Sequence, residues 1–396
     1  MTDVFPLLQG ARAALLTATA LAASACAGGP RSQAAGSEAG RWQTLASEAR
    51  YAAAADTLVA RLLAEHRLQA ISVAVVQDGR TAYTAVAGEV APGSPADTTT
   101  VFRAASLGKP VFAYLVLRLV DEGVLALDTP LADLLPRPLA EYEHYRALAA
   151  DPRHRALTAR HVLSQRSGMP NWNRQGPVPL LARPGTLFWY SGEGYQLLQF
   201  AIEQRTGRTV ADLARERVFE PLGMAHSSFL WERRFDGRFA IDTLLARHPI
   251  LQRSRDHAEV AGSLLTNATD YARFLLAVLE GRGLRATTRA TMVAPHATIT
   301  SRSLFSMPGT DSGAAAAKGL AWALGWGRME SERGPALFHV GREGGCENYA
   351  VAFLDRGTGF VVLSATPIEL AGTFTAPLAA ALIGDTYSPL DWLEYR

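Results

Sequence analysis

The placement of the β-rich runs constrains this chain more than any other feature. Residues 71–76 and 81–86 flank Asp78-Gly79, a hairpin signal. The remaining runs come only near the other end, over 320–329, 336–340, 349–354 and 360–365. Asp355-Arg356-Gly357-Thr358-Gly359 makes the last turn. Between these ends, about 130–230 reads as helical patches broken by Pro and Gly. A lone hairpin is marginal in water, so the two ends are expected to share one sheet. The expected fold class is α+β. An antiparallel sheet built from both chain ends is flanked by helices, beside a mostly helical second lobe over about 125–260. A site belongs in the crevice between the lobes. Helical periodicity predicts helices over 46–66, 110–122, 267–279 and 370–383.

With 396 residues, 48% hydrophobic and 19% charged, the chain buries a sizeable core. That composition excludes a disordered protein, a collagen and a coiled coil. Formal net charge is +2 and no Lys/Arg block stands out, so a nucleic-acid partner has no electrostatic footprint. Of 39 basic residues only Lys109 and Lys318 are lysines. A lysine kept in an arginine background is a candidate for work that needs a removable proton. Lys318, after an alanine run, reads as a surface residue.

Residues 1–25 carry Arg12 and then an apolar stretch over 13–25. Thirteen residues are too few to span a bilayer, which takes about twenty, and suit a secretory signal. Cys26, directly after Ala23-Ser24-Ala25, resembles a bacterial lipoprotein cleavage site. The expected organisation is a signal peptide over 1–25, a flexible linker over 26–45 and one catalytic domain over 46–396. The protein is expected to be exported, periplasmic or held on a bacterial membrane only by a lipid on Cys26. Cys346 is the sole other cysteine, and no metal-ligand spacing occurs.

Ser106-Leu107-Gly108-Lys109 is the one Ser-x-x-Lys in the chain, at the start of a predicted helix. Spacing of three puts both side chains on one face, a turn apart. The helix start adds free N–H groups and partial positive charge. Desolvation and positive charge lower a lysine's pKa, so a neutral Lys109 could take the Ser106 proton during attack on a carbonyl. Taken alone, a motif of this length reads more readily as a helix cap with a solvated lysine.

Its company adds to it. Phe102-Arg103-Ala104-Ala105-Ser106-Leu107-Gly108-Lys109 resembles the nucleophile segment of the penicillin-binding-protein and class C β-lactamase-like serine hydrolases, which include esterases and D-aminopeptidases. Leu163-Ser164-Gln165-Arg166-Ser167-Gly168-Met169-Pro170, Tyr190-Ser191-Gly192 and His339-Val340-Gly341 are similar to further family signatures, in order from about 50 to 385. The resemblance implies Ser106 as nucleophile, Lys109 as general base and Tyr190 as proton shuttle, the tyrosine acting as an anion or strong hydrogen-bond donor beside Lys109. It implies an oxyanion hole from the backbone N–H groups of Ser106 and Arg342. Gly341 would keep the substrate backbone unobstructed, and His339 would border the substrate.

Two departures set expectations. Gly192 stands where relatives have an asparagine that holds the acyl amide, with Glu193 as the candidate substitute. His339 replaces the lysine typical of β-lactamases. Both point toward an esterase or D-amino-acid peptidase rather than an efficient β-lactamase. The substrate is expected to be a small ester, amide or peptide, with no metal and no organic cofactor. Transacylation and a non-catalytic cell-wall module remain the alternative readings.

Overall fold

A computed structural model describes residues 40–173, 176–240, 256–306, 314–366, 374–386 and 389–394. The expected signal peptide, Cys26, most of the linker and the first residues of the predicted closing helix lie outside the described residues. The strands are β1 (Arg41–Gln43), β2 (Ala49–Tyr51), β3 (Ala70–Gln77), β4 (Arg80–Ala91), β5 (Ser94–Pro95), β6 (Val101–Ala105) and β7 (Phe239–Ala240). They continue with β8 (Leu264–Thr266), β9 (Ala297–Thr298), β10 (Leu320–Trp322), β11 (Gly327–Met329), β12 (Ala336–Glu343), β13 (Cys346–Phe353) and β14 (Thr358–Ala365). The helices that matter here are α1 (Ala52–Glu65), α2 (Gly108–Asp121), α3 (Gly192–Thr206), α4 (Ala268–Glu280) and α5 (Thr375–Ile383).

The two chain ends do share one sheet. Its order is β5-β4-β3-β14-β13-β12-β11-β10-β9, antiparallel throughout. The closing contact is β3 against β14, in register from Gly359↔Val76 to Ala365↔Ala70. These strands read as near-continuous apolar runs because both faces are covered. Ile71, Val73, Val75, Val351 and Phe360 pack with Val59 and Leu62 of α1 and Leu378 of α5. Ala74, Val76, Ala352, Val361 and Leu363 pack toward α2 and toward Phe274, Leu275 and Val278 of α4. Truncating a leucine in either layer costs about 2–5 kcal/mol. Helix α2 is buried from Gly108 through Leu117, so it is apolar all round rather than amphipathic.

Three expectations need correction. Residues 41–45, expected in the linker, begin with an ordered strand. Trp42 is 2% exposed, and its indole N–H donates to the Leu382 carbonyl at 2.7 Å. The helix predicted from residue 46 accordingly starts at Ala52, after β2. The run 320–329 is two strands, because Gly325 turns the chain at φ +84 with no room for a side chain beside Ala113. In the second lobe, α3 is joined by short helical pieces, as expected. A three-stranded sheet of order β7-β6-β8 was not anticipated, and it ties the strand leading into Ser106 to distant segments.

Candidate active site

Strand β6 delivers Ser106 to the head of α2 through a strained corner. Ala105 has φ +48, a left-handed conformation that costs a residue with a side chain about 1 kcal/mol. Gly108 then lets the helix start close on the chain opposite, where a Cβ would come 2.9 Å from the Val260 carbonyl. That approach brings Ala261 within reach. Its carbonyl accepts an N–H from Lys109 at 2.8 Å and the Ser106 hydroxyl at 3.4 Å.

Lys109 Nζ lies 3.0 Å from Ser106 Oγ. The lysine is fully buried, and three rings surround its amine. Their centroids stand 4.8 Å (Tyr190), 5.7 Å (Tyr195) and 5.9 Å (Trp172) from Nζ. Burial pushes its pKa down to about 7, against a smaller opposing pull from Glu343. Positive neighbours, expected to contribute, are not the cause. Glu343 is drawn instead to Arg103, whose Nη2 donates to its Oε2 at 2.6 Å. Near neutrality much of Lys109 is therefore a free amine beside a hydroxyl, the pairing a base-activated nucleophile needs.

The Tyr190 ring lies under the lysine, its centroid 4.8 Å from Nζ. Burial raises its pKa well above the ordinary phenol value, and only the Ser106 hydroxyl opposes. Its hydroxyl is buried beside the Ser106 hydroxyl, outside ordinary hydrogen-bond geometry. Of the two expected states, an anion or a strong hydrogen-bond donor, burial disfavours the anion: Tyr190 is a neutral phenol, able to donate and accept near Ser106. Its backbone is clamped from both sides by one residue. Gln165 is fully buried, with φ +56. Its Oε1 accepts the Ser191 N–H at 2.7 Å and its carbonyl accepts the Trp189 N–H at 2.8 Å.

His339 also lies against this cluster, 6.0 Å from Tyr190 and 5.5 Å from Trp322 between ring centroids. Its Nδ1–H donates to the Val340 carbonyl at 2.8 Å, so Nε2 carries the lone pair. Burial, then the Lys109 charge, lowers its pKa to about 3. It is a neutral ring at any ordinary pH and offers a carboxylate no cation. Gly341 is small for a reason the sequence did not show: a Cβ there would strike the Ala104 carbonyl carbon and oxygen. That contact lays the Gly341-Arg342 segment beside the nucleophile strand. Asn348 secures it, donating from Nδ2 to the Arg103 carbonyl at 3.0 Å.

Gly192 and Glu193, the expected substrate-binding pair, open α3. Gly192 is packed under the loop before it, where a Cβ would meet the Asn171 carbonyl at 2.6 Å and the Trp172 indole at 3.1 Å. Glu193 accepts the Asn173 N–H at 2.8 Å and lines a cavity of about 930 Å³ with Trp172, Arg103 and Glu343. Trp172, Gln165, Ala261 and Asn348 join the site without having been expected from sequence. Gln165 lies within a recognised signature and φ alone marks it out. Ala261 acts through a backbone carbonyl that every residue possesses.

Residues 55–384 match the family described as Beta-lactamase. Penicillin-binding protein 4 of Amycolatopsis lactamdurans is 29% identical over 351 residues, covering 82% of this chain and 87% of that one. Esterase EstB of Burkholderia gladioli is 29% identical over 209 residues, 45% of this chain and 52% of its own. In fold, the chain is similar to the octameric penicillin-binding protein homologue from Pyrococcus abyssi. Its TM-score is 0.65 at 20% identity, covering 85% of this chain and 79% of that one.

Proposed function

The chain belongs to the Beta-lactamase family and is a serine hydrolase, and from that premise we propose that it works through an acyl-enzyme on Ser106. The observation that carries this reading is the 3.0 Å approach of Ser106 Oγ to a fully buried Lys109 amine. In the first step neutral Lys109 takes the hydroxyl proton while Oγ bonds to the carbonyl carbon. The oxyanion forms between the backbone N–H groups of Ser106 and Arg342, each donor contributing about 3–4 kcal/mol in the transition state. Collapse breaks the bond to the leaving group, which receives its proton through the Tyr190 hydroxyl. Water then attacks the acyl carbonyl, giving its proton to the same Lys109–Tyr190 pair, and Ser106 is regenerated.

The substrate is an ester or a D-amino-acid peptide rather than a β-lactam. Gly192 supplies no side-chain amide and neutral His339 no cation. Relatives named as an esterase, a penicillin-binding protein and a D-alanyl-D-alanine carboxypeptidase/endopeptidase support that range. We further infer export, from the apolar stretch over 13–25, with a lipid on Cys26 as the membrane attachment.

The test is covalent. A serine-reactive phosphonate should label the wild-type protein at one site and leave Ser106→Ala unlabelled. Undiminished labelling of the variant removes Ser106 from the mechanism. With the variant as blank, turnover of a chromogenic short-chain ester should far exceed that of a chromogenic cephalosporin. Equal turnover would show that Gly192 and His339 do not exclude β-lactams.

A further inference from the structure

Tyr190 is buried among buried groups, with one exception. Lys109 Nζ stands 4.8 Å from its ring centroid, and the Trp322 and His339 centroids stand 5.8 and 6.0 Å from it. All three of these groups are buried. The exception is Phe305, whose ring meets Tyr190 edge-on, with centroids 5.5 Å apart and planes at 89°. Phe305 is 47% exposed, yet Tyr190 beneath it is only 2% exposed. A single exposed phenylalanine is ordinary on a protein surface. This one is held in place. The Ser303 N–H donates to Ser306 Oγ at 2.9 Å, and the Ser306 N–H donates back to the Ser303 carbonyl at 3.2 Å. Leu304 is buried in the same apolar layer as Tyr190, and the Trp392 indole N–H donates to the Ser301 carbonyl at 3.1 Å. The turn is thus pinned on both sides, and it presents Phe305 over the tyrosine.

Such cover has a chemical consequence. A phenol screened from water keeps its proton, because its anion would go unsolvated. The titratable groups facing Tyr190 are Lys109 from α2, His339 from β12 and Tyr195 from α3. Above neutral pH Lys109 is a free amine, while His339 and Tyr195 are neutral rings, so no cation there favours a phenolate. Arg302, on the Phe305 loop itself, is exposed. Burial therefore decides the state of Tyr190, and Phe305 is the part of that burial that borders solvent.

We propose that Phe305 is a positioning residue that keeps water from Tyr190 and so holds its hydroxyl as proton donor to the leaving group, fitting the protein to esters whose alcohol cannot depart as an anion. This rests on the acyl-enzyme at Ser106 proposed above and adds the class of leaving group. As the bond between the carbonyl carbon and the leaving oxygen breaks, its electron pair stays on that oxygen and takes the Tyr190 proton. The proton that Lys109 took from Ser106 restores the phenol, so none is gained or lost overall.

The experiment compares kcat/KM, which reports the steps through acylation, for benzyl acetate and p-nitrophenyl acetate. Each rate is corrected with Ser106→Ala as blank and normalised to active sites counted with the phosphonate, which removes any loss of folded protein. Nitrophenolate leaves without a proton, whereas the benzyl alkoxide needs one. Phe305→Ala should lower the benzyl-to-nitrophenyl ratio about tenfold. Phe305→Leu keeps an apolar cover and should hold the ratio near its wild-type value. Above about pH 9 the ratio should fall further in Phe305→Ala but not in wild type, because a hydrated phenol ionises near its ordinary pKa of about 10. In a Tyr190→Phe background, Phe305→Ala should leave the ratio where Tyr190→Phe alone puts it. Equal losses on both esters would make the loop merely structural, and a fall that persists without the Tyr190 hydroxyl would mean that Phe305 touches the alcohol itself. Either overturns the inference, as does wild-type turnover of the nitrophenyl ester with none of the benzyl ester. Ester turnover with no phosphonate adduct on Ser106 overturns the acyl-enzyme reading, and the inference with it.

Discussion

Lys109 and Lys318 carry one side chain into two different surroundings. Lys109 is fully buried in a box of three rings, 3.0 Å from a serine hydroxyl, and its pKa falls to about 7. Lys318 is 47% exposed and lies 3.7 Å from Asp391, itself 43% exposed. An exposed pair of that kind is worth less than about 1 kcal/mol, and salt weakens it further. The difference between the two lies in solvent rather than in chemistry. Removing water from an amine is what makes it a base, and the fold does so at one lysine and not at the other.

Substitutions at the buried lysine should separate the two most strongly. Lys109→Arg should lower ester kcat about a thousandfold, nearly as far as Lys109→Ala, because a guanidinium keeps its proton. Lys318→Arg should leave kcat unchanged. Steady-state rates on the chromogenic ester decide it, and an active Lys109→Arg would reduce that lysine to a fixed charge.

Next comes the clamp on Tyr190, which sits under the buried amine. Gln165→Leu removes the acceptor for the Ser191 N–H. The expected loss is on the order of tenfold in kcat, with phosphonate-titratable sites still near one per chain. In a Tyr190→Phe background the same change should cost much less, since interacting positions do not add. Equal losses in both backgrounds would mean that Gln165 supports the fold and not the tyrosine. Lys318→Ala should have the smallest effect, with thermal stability changed by no more than about 0.5 kcal/mol. A larger drop would show that its contact with Asp391 holds the C-terminal segment in place.

The sheet was legible because its information is local. Asp78 (φ +52) and Gly79 (φ +72) form the tight turn the sequence announces, and unbroken apolar runs mark strands covered on both faces. The split of 320–329 was not legible, because Gly325 was one of many glycines until Ala113 packed against it. Ser106 and Lys109 were readable for the same reason as the hairpin: they are three residues apart at a helix start. Trp172 and Gly192 are 20 positions apart in sequence and meet only through the loop pinned at Asn171 and Asn173. Their joint meaning exists only in three dimensions. Of the two states read for Tyr190, the anion gives way because burial, which the sequence does not show, keeps the phenol neutral.

The central claim is that Ser106 is activated by an uncharged Lys109, and the pH dependence of phosphonate inactivation tests it most directly. The amine must be neutral to accept a proton, and its folded pKa is about 7. The inactivation rate constant should therefore rise about tenfold from pH 6 to pH 8, half-maximal near pH 7, with the adduct mapped to Ser106. Lys109→Arg should be far slower and flat over that range. A wild-type profile that is flat across it, or a Lys109→Arg profile that keeps the same rise, would contradict the account.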